Sequence, residues 1–133
     1  MDIQTYLFFD GCCEEAIRFY GEVFGAEVAF LMRFKEAPPS LMTPGSGEKI
    51  FHATIKFGET TLNMNDALRG EHSGFGGFAL LVHFAVVEEA ERVFASLAQS
   101  GQVRIQLARS PWARLYGIVQ DQFGITWKIQ VNG

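Results

Sequence analysis

No run of apolar residues in this 133-residue sequence approaches the roughly 20 that a bilayer-spanning helix needs, and the N-terminus has no basic segment leading into an apolar stretch. Neither a membrane partner nor an export signal is expected. Cysteine is almost absent: Cys12 and Cys13 are the only two, and neighbours in sequence rarely close a strain-free disulfide. With no disulfide framework and no paired-cysteine metal motif, the chain reads as a protein of the reducing cytoplasm. Basic residues are few as well. Eleven Lys and Arg against fifteen Asp and Glu give a formal charge of -4, mild and evenly scattered along the chain, without the Lys/Arg density that phosphate-backbone binding requires. Nucleic acid is not expected as a partner.

Apolar and aromatic residues are what the chain does have. Nearly half of it is hydrophobic and thirteen residues are Phe, enough to fill the core of one ordinary domain. "IQTYLFF" (3–9) is β-branched and aromatic and reads as a strand; "CCEEAIRFYGEVF" (12–24) places Ala16, Ile17, Phe19, Tyr20, Val23 and Phe24 near helical spacing after the break at Asp10–Gly11. A second strand covers 26–34, and the Pro/Gly/Ser-rich stretch 36–48 predicts a loop. "IFHATIKF" and "TTLNMN", separated by Gly58–Glu59, predict a hairpin. The second half repeats the order: strand 77–85, a helix over 87–101 closed by Gly101, strand 103–110, and a hairpin of 112–120 and 125–131 around "DQFG".

The repeat holds in register. "YLFFDGCCEEAIRFY" (6–20) lies over "LLVHFAVVEEAERVF" (80–94) at a constant offset of 74 residues, with Leu7 over Leu81, Glu14 over Glu88, Ala16 over Ala90 and Arg18 over Arg92. At the far ends "TLNM" (61–64) lies over "TWKI" (126–129). The expected fold is α+β: one domain over 1–133 made of two tandem βαβββ modules, module one 1–70 and module two 75–133.

The stretches "YLFFDGCCEEAIRFYGEVFGAEV", "HATIKFGETTLNMND", "EEAERVFASLAQSGQV" and "PWARLYGIVQDQFGITWKI" resemble the vicinal oxygen chelate superfamily (glyoxalase I, bleomycin-resistance proteins, extradiol dioxygenases), and within it the PhnB-like branch. The resemblance implies cupped mixed sheets with the helices outside, a ligand cavity inside the cup, and a homodimer, with modules that pair within a chain or swap between subunits. Enzymes of the superfamily hold a divalent metal through His, Glu or Gln on the first and last strand of each module. Those positions fall here on Thr5, Asn63, Ala79 and Lys128. Alanine has no donor atom, Thr and Asn are weak neutral ligands, and a protonated Lys repels a cation, so no metal and no other cofactor is expected.

Other polar residues are weighed beside these. Lys128 points into the cup under this register and offers a positive charge where relatives hold a ligand; the alternative is that its stem covers apolar surface and its ammonium reaches solvent. His52, on a strand whose other face is Ala53, Ile55 and Phe57, is either a pocket residue or a structural one, and His83 shares the face of Ala79 and Leu81. Asn63 and Asn65 alternate with Leu62 and Met64 and suit recognition of carbonyl or hydroxyl groups. Trp112, Arg114 and Tyr116 share one strand face and fit either a flat ligand or a dimer seam. Phe123 and Trp127 read as packing, and His72 as a solvated loop residue. Cys12 and Cys13 open a helix, where a thiol pKa can fall, but no His accompanies them in sequence. No Gly-rich loop follows a strand, so the methyltransferase label carried by part of the branch finds no cofactor seat. The function expected is small-molecule binding through His52, Asn63, Asn65, Trp112, Tyr116 and Lys128; the alternative is a metal-dependent lyase or dioxygenase using His52 and His83.

Overall fold

The computed structural model describes residues 1–41, 44–68 and 74–133. The chain divides into two compact units, Met1–Ser73 and Gly74–Gly133, and among the described residues each is an α+β arrangement with four strands and one α-helix. Among the described residues no helix is long and apolar enough to cross a membrane.

In the first unit the order is β1 (Thr5–Phe9), α1 (Cys13–Phe24), β2 (Glu27–Arg33), β3 (Ile50–Phe57) and β4 (Thr60–Asp66). The sheet runs β1-β4-β3-β2, with β1 parallel to β4 and the other pairs antiparallel. Helix α1 covers one face: Ala16, Ile17, Tyr20 and Val23 are buried against Leu7, Phe9, Ala53, Ile55, Leu62 and Met64, the alternate residues of the strands beneath. Gly25 ends the helix in the left-handed region at φ 71°, its N–H donating to the Gly21 carbonyl.

The second unit repeats this with β5 (Leu80–Phe84), α2 (Val87–Gln99), β6 (Gln102–Ser110), β7 (Ala113–Gln120) and β8 (Thr126–Val131), in sheet order β5-β8-β7-β6. Ala90, Val93, Phe94 and Leu97 of α2 bury against Val119, Trp127, Ile129 and Val131.

Three sequence expectations change. The 36–48 stretch is not wholly irregular: single 3-10 turns form at Phe34–Glu36 and Pro39–Leu41, and residues 42 and 43 lie outside the described residues. Gly101 does not close α2 by a left-handed turn, since Ser100 takes the cap position at φ -117° and Gly101 is not among the glycines with positive φ. What position 101 requires is space, because a Cβ there would sit 2.1 Å from the Gln120 carbonyl oxygen and 2.7 Å from that of Leu97. Finally, the constant offset of 74 fails in the first strands. It holds for the buried faces of the helices, Ala16 over Ala90 and Tyr20 over Phe94, whereas strand pairing matches Tyr6 with Leu81, an offset of 75. The cause is the connection: Asp10–Gly11–Cys12 joins β1 to α1, and only Ala85–Val86 joins β5 to α2.

Candidate functional site

One residue of offset reverses a side chain in a strand, and this decides where the four expected metal positions lie. Thr5 pairs with Leu62, which is buried on the helix side, so Thr5 sits on that side too; Tyr6 is the residue beside Asn63 on the face opposite α1. Ala79 precedes β5 altogether, and Leu81 is the residue beside Lys128. Asn63 and Lys128 do lie on the faces opposite α1 and α2, as the "TLNM" over "TWKI" alignment requires.

In the first unit that face carries a continuous hydrogen-bonded chain. The Tyr6 hydroxyl lies 2.8 Å from His52 Nδ1, His52 Nε2 lies 3.3 Å from Thr54 Oγ1, Thr54 Oγ1 donates to Asn63 Oδ1 at 2.9 Å, and Asn63 Nδ2 donates to Gln4 Oε1 at 2.8 Å. One proton arrangement satisfies every link. Burial raises the Tyr6 pKa, so the phenol keeps its proton and donates to Nδ1; the His52 proton is then on Nε2 and donates to Thr54. The Tyr6 oxygen is left as an outward acceptor. Aromatic rings surround this end: Phe8 stands 5.4 Å from Tyr6 and Phe30 5.9 Å from His52, centroid to centroid, and both Phe rings are exposed. Asn65 occupies the next position on the same face, beside Phe8, and its Oδ1 is buried with no hydrogen-bond partner among the described residues.

In the second unit the face opposite α2 presents Leu81, His83, Tyr116, Ile118 and Lys128. The Lys128 ammonium lies 5.9 Å from the centre of the Tyr116 ring, and Trp112, just ahead of β7, meets Tyr116 edge-on at 5.2 Å. Trp112 is 62% exposed. Trp127 is the opposite case: it is buried, and its indole N–H donates to Asp121 Oδ2 at 2.9 Å. His83 is exposed on its strand, and His72 lies outside the described residues.

Two buried aspartates went unnoticed in the sequence. Asp66, 1% exposed, accepts the Cys13 N–H through Oδ1 and the Ile50 N–H through Oδ2, both at 2.9 Å. Asp121 accepts from the amides of Phe123 and Ile125 and fixes the "DQFG" turn, where Gly124 adopts φ 97°. Only the latter had a signal in the sequence, an Asp three residues ahead of a Gly between two strands. The helix-start cysteines differ from a reactive pair: burial first, then the charge of Asp66, drives the Cys13 thiol pKa far upward, and burial raises that of Cys12.

A family model of the Glyoxalase/Bleomycin resistance protein/Dioxygenase superfamily matches residues 2–129. The chain belongs to this superfamily. Protein YjdN of Escherichia coli strain K12 is 32% identical over 98% of this chain and 95% of its own length. Among solved structures, the PhnB protein from Bacillus cereus has a TM-score of 0.85 at 27% identity, covering 98% of this chain and 99% of that one. Protein PA1353 from Pseudomonas aeruginosa has a TM-score of 0.88 at 28% identity, covering 99% and 98%.

Superfamily enzymes use a divalent metal, and the donor set here does not fit one. The strand positions on the relevant faces supply a protonated phenol, an amide already bonded on both sides, an alkyl group and an ammonium: Tyr6, Asn63, Leu81 and Lys128. Both ring nitrogens of His52 are engaged by Tyr6 and Thr54, so it has no lone pair to give without breaking the chain. Among the described residues no three His, Cys, Asp or Glu side chains gather in a metal-holding group.

Proposed function

We propose that this superfamily member is a cytoplasmic, homodimeric small-molecule-binding protein of PhnB type, in which the face of the first sheet opposite α1 recognises a flat, largely apolar ligand. The observation that carries this reading is the Tyr6–His52–Thr54–Asn63–Gln4 chain: five side chains spend their hydrogen-bonding capacity on orienting one another, and leave one phenol oxygen among exposed aromatic rings. An array with every polar group satisfied is preorganised for recognition. The rings of Phe8 and Phe30 supply apolar area, and the Tyr6 oxygen accepts one hydrogen bond from a ligand hydroxyl or N–H. Asn65, with its unpartnered Oδ1, adds a second acceptor. In the second unit Tyr116 and Lys128 offer a ring and a positive charge.

Thermal-shift screening of small phenols and indoles tests this. Binding compounds are expected to raise Tm in the wild type, and His52→Leu, which severs the chain at its centre, is expected to weaken them about tenfold, the value of one well-placed hydrogen bond. Hits that bind His52→Leu unchanged would sink the proposal. So would stoichiometric Zn²⁺, Ni²⁺, Fe²⁺ or Mn²⁺ held after metal loading and desalting, measured by elemental analysis, since the donor set described above does not fit such an ion.

A further inference from the structure

The second unit contains a cavity that the proposed first-unit site does not involve. It has a volume of about 610 Å³ and is lined by Arg109, Trp112, Arg114 and Leu115, with Val87 at the start of α2 on its rim. We infer that it is an anion site, built to hold an aromatic carboxylate: the carboxylate between Arg109 and Arg114, the ring against Trp112.

Charge distribution is the first ground. The mild scatter of charge along the sequence does not survive folding. Of the acidic residues in this unit, Glu88, Glu89 and Glu91 all lie on α2, and Asp121 is buried with its oxygens occupied by Phe123, Ile125 and Trp127. The strands and their connections carry Arg104, Arg109, Arg114 and Lys128 and no further acidic side chain, and Gly133, beside Arg114, also lines the cavity. The Arg109 and Arg114 side chains make no hydrogen bond or ion pair among the described residues, although both residues line the same cavity. A cavity lined by two arginine residues favours an anion, and a carboxylate matches the fork geometry of a guanidinium. In a chain of net charge -4 this is a local field of the opposite sign.

The aromatic wall is the second ground. Trp112 is largely exposed yet held in place, edge-on to Tyr116 at 5.2 Å and on a connection braced by the Ser110 hydroxyl, which accepts the Ala113 N–H at 3.1 Å. A fixed, exposed indole beside two unpaired arginines recognises a ring bearing a negative charge. Val86, which caps α2 at this rim, makes no side-chain cap bond, so the first helical amides add positive potential, offset in part by Glu88 and Glu89 in that turn.

The test uses the two tryptophans of the whole protein. Trp112 is exposed and Trp127 buried against Asp121, so their emissions separate, and Trp127 reports whether each variant keeps its fold. Benzoate is expected to quench the Trp112 emission saturably and to lose the effect in Trp112→Phe. Arg109→Gln and Arg114→Gln are each expected to weaken benzoate about tenfold while His52→Leu leaves it unchanged, which separates failure here from failure of the first-unit site. Benzyl alcohol should not compete, and inorganic phosphate should compete only weakly. Equal binding of benzyl alcohol, equal binding of phosphate, or Arg→Gln variants that bind benzoate as the wild type does would each overturn the inference.

Discussion

Asp66 shows how much one residue can carry without announcing itself. It ends β4, is 1% exposed, and serves as the cap that α1 lacks: Cys12, at the cap position, makes no side-chain bond, and the Asp66 carboxylate accepts the first helical N–H from 53 residues away. Its other oxygen holds Ile50 at the start of β3. Asp66→Asn would turn an NH2 group toward an N–H donor; the expected cost is about 2 kcal/mol, read as a lower urea midpoint, and an unchanged midpoint would count against this role. Burial, reinforced by the charge of the same carboxylate, keeps Cys13 protonated. In native protein at pH 8 Cys13 is therefore expected not to react with a disulfide reagent and to label only after denaturation; rapid native labelling of Cys13 would contradict the burial seen here. None of this was legible in the sequence, because an Asp after "TLNMN" looks like an ordinary turn residue until the fold shows which amides surround it.

At the scale of elements, the repeat was legible and its register only half so. Helical periodicity aligned α1 with α2 correctly, but the one-residue difference in the strand-to-helix connections moved the first strands by a whole face, taking Thr5 and Ala79 out of the expected positions and bringing in Tyr6 and Leu81. Close packing between elements sets two further expectations. Gly117 of β7 lies beneath α2 and against a bulge in β6; a Cβ there would be 2.8 Å from both the Phe94 ring and the Leu107 Cα. Gly117→Ala is expected to cost about 2 kcal/mol by forced displacement, measured by chemical denaturation, where substitution at the open turn glycine Gly58 would act only through its φ of 60°. Arg33, at the end of β2, ties α1 to the following stretch by a two-pronged pair with Glu14, at 2.7 and 3.2 Å, and a bond to the Glu48 carbonyl. The Arg33 hydrogen bond lowers the Glu14 pKa, so this stabilisation is present above the unfolded carboxylate value and disappears as pH falls through the lower folded value. Since the pair is partly exposed, Glu14→Gln should flatten the acid limb of the stability curve by less than about 1 kcal/mol.

At the scale of the whole molecule, the open strands β2 and β6 carry exposed Val28, Phe30, Val103 and Ile105 at the ends of their sheets. Apolar side chains on an unpaired edge invite association. Sedimentation equilibrium is expected to find a dimer, and Val103→Lys with Ile105→Lys to weaken it; a wild-type monomer at micromolar concentration would dismiss the homodimer. The sequence by itself determined the superfamily, the two βαβββ units, the helix-covered faces and the poor fit of Asn63 and Lys128 to a metal, because these follow from local periodicity and from side-chain chemistry that burial does not alter. Only the tertiary structure decided the rest: that Tyr6 stands where Thr5 was expected, that His52 is bound on both nitrogens, and that Arg109 and Arg114 share one cavity. Those facts depend on which residues meet across strands and connections, and a single residue's difference in one connection is enough to exchange one face for the other.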